Sequence, residues 1–155
     1  MAPVKKFGSY TPLLLLLARL VLAGTFVLAA IPKIGDPIAF GAAVEGFQIV
    51  DDARVNWIAV ILPWFELIVG IGLLVPMIRR SSAICISILL VTFISLHASA
   101  WQRGLDISCG CFGTEAELTT NYGLLILRNL ALLSIAIWVL RRDLKIHKQT
   151  SKVAN

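Results

Sequence analysis

Residues 55–78 read VNWIAVILPWFELIVGIGLLVPMI, an apolar run of 24 residues interrupted by a single charge, Glu66. An α-helix rises 1.5 Å per residue, so about 20 residues cross the roughly 30 Å hydrocarbon core of a bilayer. A soluble helix of this length carries a polar face, and this stretch has almost none. Three further runs have the same character: Leu13–Ile31 interrupted by Arg19, Ser81–Trp101 with His97 near its end, and Tyr122–Leu140 containing Arg128. The fold class expected is therefore all-α: an integral membrane four-helix bundle with spans at about 13–31, 55–78, 81–101 and 122–140.

The whole composition agrees. Of 155 residues, 58% are hydrophobic and 15% charged, and the mean hydropathy is +0.86. Soluble domains run at about 45–50% apolar, glycine included, and about 25% charged. Disorder is excluded by the same figures. The first run resembles a signal peptide only in following Lys5 and Lys6; it is too long, and Arg19 interrupts it, so it is read as a retained span.

The net charge is +5, and the positions of the charges explain it. Lys5, Lys6, Arg79, Arg80, Arg141, Arg142, Lys145, Lys148 and Lys152 flank one set of span ends, accompanied by the single acid Asp143. The opposite loops hold Lys33, Arg54 and Arg103 against Asp36, Glu45, Asp51, Asp52, Asp106, Glu115 and Glu117. The positive-inside rule then predicts cytoplasmic termini and a multi-pass protein of the inner (cytoplasmic) membrane, in contact with lipid. The basic pI reflects topology and not nucleic-acid binding. In the first acidic loop, Asp36 suits an N-cap and Pro37 the first helical position. Phe40, Val44 and Phe47 recur at helical spacing, which predicts a short amphipathic helix over about 37–49. It is expected to lie on the outer membrane face with its aromatic edge down; the alternative is a cap packed on the bundle. The polar tail, residues 143–155, is expected to fray.

The strongest chemical feature is Cys109-Gly110-Cys111-Phe112-Gly113, in the loop between the third and fourth spans. Cysteines two apart, relaxed by glycine, come within disulfide reach, and so small a ring exchanges readily. The readings open on spacing are a redox dithiol, a soft-metal thiolate pair at Cys109 and Cys111, and a structural disulfide. Cys85 lies near the other membrane face and is read as a small core residue. His97 and Trp101, four apart, lead into the cysteine loop: His97 suits proton transfer or a polar cluster, and Trp101 suits a ligand contact or an interfacial anchor. Arg19, Glu66 and Arg128 lie at membrane depth and need partners. Counted along the helices, Glu66 is near the middle and within reach of either arginine, with Asn129 adding an interhelical hydrogen bond. These charges form either a structural network or a substrate or proton path.

The chain resembles the MauE/DoxX group of small four-helix bacterial membrane proteins. The matching residues are Arg19 with Ala23-Gly24, Lys33, Asp36-Pro37, Phe40, Val44, Phe47, Pro63, Glu66-Leu67, Gly70, the Cys109–Gly113 loop and Arg128-Asn129. The cysteine loop places it with the MauE-like, redox-associated branch. The resemblance implies a bundle acting beside periplasmic thiol chemistry, in methylamine utilisation, where MauE-like proteins assist a disulfide-rich enzyme subunit. Cys109 and Cys111 are then expected to exchange with a thioredoxin-like protein or client, and a quinone to be contacted by His97, Trp101 and Phe112. The layout is similar to that of DsbB-like proteins, which relay electrons through two cysteine pairs; this chain has one pair and the remote Cys85. The alternatives are a carrier of a soft metal or small solute, using Arg19, Glu66 and Arg128 as a path, and a non-catalytic subunit of a redox complex.

Overall fold

The computed structural model describes residues 11–105 and 121–153. Five helices occupy them: α1 (Thr11–Gly35), α2 (Pro37–Gly46), α3 (Asp52–Gly72), α4 (Arg79–Gln102) and α5 (Tyr122–Val153). There is no strand among the described residues. Helices α1, α3, α4 and α5 are each long and apolar enough to cross a membrane. They form a ring in chain order: α1 packs chiefly on α3 and α4 chiefly on α5, while α3–α4 and α1–α5 contacts close it. Their outward faces are leucine, isoleucine, valine and tryptophan side chains left exposed, as contact with lipid requires. The protein is a membrane helical bundle.

The helix bounds differ from the hydropathy runs where local chemistry intervenes. Helix α3 stops at Gly72, although the apolar run continues to Ile78. Pro76 has no backbone N–H and disfavours helical geometry at Val75, so residues 73–78 make an apolar turn. Arg79 and Arg80, expected in that turn, instead open α4. Helix α1 runs past Ile31 and through Pro32 to Gly35, which brings Lys33 into the bundle. Helix α5 continues through the tail expected to fray, as far as Val153. Its anchor is Asp143, wholly buried, whose Oδ1 accepts a hydrogen bond from Arg19 of α1 and whose Oδ2 lies 3.8 Å from Nε of Arg79.

Helix α2 begins as its sequence predicts. The Asp36 carboxylate accepts a hydrogen bond from the Ala39 N–H at 2.9 Å, and Pro37 fills the first turn. Its orientation differs from the expected one. Phe40, Gly41 and Ala43 are buried, and Gly41 lies against Ala59 and Val55 of α3, so the aromatic edge faces the bundle instead of the membrane surface. The reason is that this edge covers a hollow between the spans, lined in part by Phe40, Val44 and Phe47.

Packing is dense in the half of the bundle nearest Arg79. Leu22, Val69, Ile86, Leu90, Ala136 and Val139 are almost fully enclosed there and come from all four spans, with Leu73 of the turn beside them. Helices α1 and α3 approach closely at Gly70. A β-carbon there would stand 3.2 Å from Cβ of Phe26 and 3.3 Å from the Ala23 carbonyl oxygen. Gly24, by contrast, faces nothing within 4 Å. Gly70→Leu is therefore expected to destabilise the bundle by on the order of 1–3 kcal/mol through overpacking. Gly24→Ala is expected to leave stability unchanged or raise it by up to about 1 kcal/mol. Thermal unfolding of the detergent-purified variants measures both.

Candidate functional site

The hollow beneath α2 is the central feature of the other half. It is a cavity of about 160 Å³ with walls from all five helices. Phe26, Phe40, Phe47 and Phe93 supply aromatic surface, and Lys33, Glu66, His97, Arg128 and Asn129 supply polar groups. Ile49, exposed on its outer side, forms part of the rim.

Lys33 and Glu66 are only 5% and 1% exposed. The Lys33 ammonium donates to both carboxylate oxygens of Glu66, at 3.0 and 2.8 Å. The same Nζ lies 4.9 Å from the ring centre of Phe40 and 5.7 Å from that of Phe93. Burial of two charges is tolerated only with close pairing, and here the cation also has two aromatic faces. The partner of Glu66 is thus Lys33 of α1, where the sequence points to Arg19 or Arg128. Arg19 is engaged at the opposite end, with Asp143. Arg128 shares the cavity wall with Glu66. The three charges grouped by depth therefore do not form one network. Depth along a helix axis carries no information on which face a residue occupies, and Lys33 lies beyond the apolar run.

His97 is buried on the cavity wall. Its Nδ1 stands 2.6 Å from the Phe93 carbonyl oxygen. That oxygen only accepts, so Nδ1 carries the proton and donates. The imidazole meets the Phe47 and Tyr122 rings edge-on, at centroid distances of 5.8 and 6.5 Å. Trp101 is 60% exposed and does not line the cavity. Four helical residues turn through a full circle plus about 40°, enough at the rim to carry Trp101 off the inner face. Cys109, Cys111 and Phe112 lie outside the described residues. Cys85 of α4 packs, half-buried, against the dense core.

The two ends of the cysteine-bearing segment are built by local code. Gly104, with φ +62°, terminates α4. Its N–H bonds the Trp101 carbonyl and the Leu105 N–H bonds the Ala100 carbonyl, both at 3.1 Å, a Schellman arrangement that needs glycine's left-handed backbone. Asn121 caps the start of α5 through the Leu124 N–H at 3.2 Å. The Tyr122 hydroxyl then donates to the Leu105 carbonyl and joins the two ends. Ala100, Tyr122, Leu105 and Phe47 form a small apolar cluster at this point. Arg103 donates to the Phe47 carbonyl and ties α4 to the end of α2.

Residues 11–142 match the family described as methylamine utilisation protein MauE. The chain belongs to the MauE family. Two MauE relatives, both called methylamine utilization protein MauE, illustrate the similarity. The one from Paracoccus denitrificans is 33% identical over 127 residues, which is 81% of this chain and 68% of the relative. The one from Methylophilus methylotrophus is 31% identical over 136 residues, 87% of this chain and 72% of the relative. No solved structure matches the chain. The MauE match spans every residue of the cavity wall and the Lys33–Glu66 pair, so the site belongs to the part of the chain that the family shares; Asp143 lies one residue beyond the match.

The Lys33–Glu66 pair yields a direct test. Glu66→Gln leaves the buried ammonium without its counter-charge and is expected to destabilise the bundle by about 3–5 kcal/mol. The paired change Lys33→Met with Glu66→Leu removes both charges and is expected to recover most of that loss. Thermal midpoints of the three proteins in the same detergent decide it; a wild-type midpoint for Glu66→Gln alone would show that the pair does not hold α1 to α3.

Proposed function

We propose that the protein is a membrane accessory factor of methylamine utilisation that performs thiol–disulfide exchange through Cys109 and Cys111. The observation that carries the thiol half is the closed base of the segment from which both cysteines extend. The Tyr122–Leu105 hydrogen bond pins that base beside His97 and the cavity mouth. A fixed base limits how far a segment anchored on it can carry its thiols, which suits exchange with a docked partner. The methylamine half is supported by the named relatives. The orientation is supported by the charge asymmetry, which Lys33 sharpens: it is buried within the bundle, and the α2 side otherwise holds Arg54 and Arg103 against seven acids. The positive-inside rule then puts α2 and the cysteines on the extracytoplasmic side of the inner membrane, where disulfides persist.

In the exchange, a client thiolate attacks one sulfur of the Cys109–Cys111 disulfide. The other sulfur leaves as a thiolate and takes up a proton. A second client thiolate then displaces the mixed disulfide. The client leaves with a disulfide, and Cys109 and Cys111 are left as a dithiol carrying the two electrons and two protons. A thioredoxin-like protein or an assembling client subunit is the partner this chemistry fits.

Alkylation of free thiols in membrane vesicles reads the state of the pair. Cys109→Ser and Cys111→Ser are each expected to abolish oxidation of a dithiol client and growth on methylamine. Cys85→Ser, which alters a residue remote from the loop base, is expected to preserve both. Unchanged client oxidation in Cys111→Ser would sink the exchange mechanism.

A further inference from the structure

We infer that the cavity beneath α2 is a binding site for the ring of a lipid-soluble quinone, held at Asn129. The inference rests on the exchange reading only for its purpose, since the dithiol left by exchange needs a two-electron acceptor. When bound, a quinone supplies that acceptor, taking two electrons and two protons to become a quinol.

The key residue is Asn129. Its side chain is 3% exposed, lines the cavity and makes no hydrogen bond among the described residues. Its amide is not sealed in the packing and stays open to the hollow. Elsewhere on this wall Lys33 and Glu66 satisfy each other and the Thr25 hydroxyl donates to Val21, while His97 and Arg128 add an imidazole and a guanidinium. The amide is thus a neutral polar group facing the hollow. It offers both a donor and an acceptor, so it serves a ring oxygen as a carbonyl and again as a hydroxyl. That two-way capacity is what a quinone–quinol pair demands of its host.

The remaining walls fit a flat ring. Phe26, Phe40, Phe47 and Phe93 provide aromatic faces and edges for stacking. The Lys33–Glu66 pair is neutral as a unit, and Arg128 adds one cation to the wall, which suits the electron-rich oxygen of a ring carbonyl. The rim at Ile49 reaches the surface on the α2 side, so a ligand with an isoprenoid tail can enter with its tail toward lipid. Trp101 takes no part, and the site is one helical turn deeper on α4 than its position.

Calorimetric titration of ubiquinone-1 into the nanodisc-embedded protein tests the assignment. Wild type is expected to bind saturably. Asn129→Leu is expected to weaken binding by about tenfold, the value of one buried hydrogen bond. Ala29→Phe, which fills the cavity from α1, is expected to abolish binding, and Trp101→Leu to leave it unchanged. Absence of binding, or affinity unaltered in both Asn129→Leu and Ala29→Phe, overturns the site. So does saturable binding of oleate in place of ubiquinone-1, which would make it a fatty-acid pocket. The Cys109→Ser, Cys111→Ser double variant is expected to bind ubiquinone-1 as wild type does. Quinone binding without cysteine-dependent client oxidation removes the exchange reading and leaves the site; the converse result leaves exchange and removes the site.

Discussion

The buried contact between Lys33 and Glu66 is the constraint on which the α2 half of the bundle depends. Two charges inside an apolar bundle must meet, and their meeting fixes the rotation and depth of α1 against α3. Gly70, one turn beyond Glu66, then allows the two helices to approach closely on the side of Phe26. The pairing also accounts for the length of α1. Carrying Lys33 to Glu66 requires helix through Pro32, and the chain turns only after Gly35, where Asp36 starts α2. Helix α2 is thereby delivered directly over the pair, with Phe40 against the ammonium.

The second ion cluster has a different task. Asp143 draws Arg19 and Arg79 together, and so links α5, α1 and the start of α4 at the other end. Two positive groups around one carboxylate tie three helices at this end. The two clusters act at opposite ends of α1, one holding it to α3 and the other to α5. Between them the close-packed core needs no polar contact to set its register.

Hydropathy and charge pattern make most of the fold legible: four spans, the Asp36–Pro37 start of α2 and the helical spacing of Phe40, Val44 and Phe47. The candidate site is less legible. Lys33 stands beyond the apolar run, so a boundary drawn by hydropathy assigns it to a loop, although it is one of three cations there against seven acids. Asp143 has the mirror-image signature, a lone acid among basic residues, and the same boundary assigns it to a solvated tail. In both cases a charge of the wrong sign for its side marks a residue that belongs inside. His97 and Trp101 share a helical spacing, yet one is buried and the other faces out, because the edge of a buried face is narrower than the offset between them. The turn at residues 73–78 is hidden by its own apolar composition, and only Pro76 betrays it.

The contrast between the two halves of the bundle is itself informative. Helix interiors close-pack wherever side chains allow, and a void costs stability in proportion to its size. The half near Arg79 obeys this with Leu73, Ile86 and Val139 fully enclosed. The half beneath α2 does not, and its hollow is walled by large rings and polar ends that do not fill it. A merely loose bundle would collapse further there, because α2 has no span of its own and packs where contact is available. Instead α2 is held by its cap at Asp36, by Arg103 at the Phe47 carbonyl and by Phe40 on the ammonium. Three separate attachments keep a roof over a space. The same roof residues, Phe47 above all, reach the cluster that pins the cysteine segment through Tyr122 and Leu105. An occupant of the cavity that shifts Phe47 therefore acts on the base of that segment through direct contact, with His97 between the Phe47 and Tyr122 rings as the intermediate.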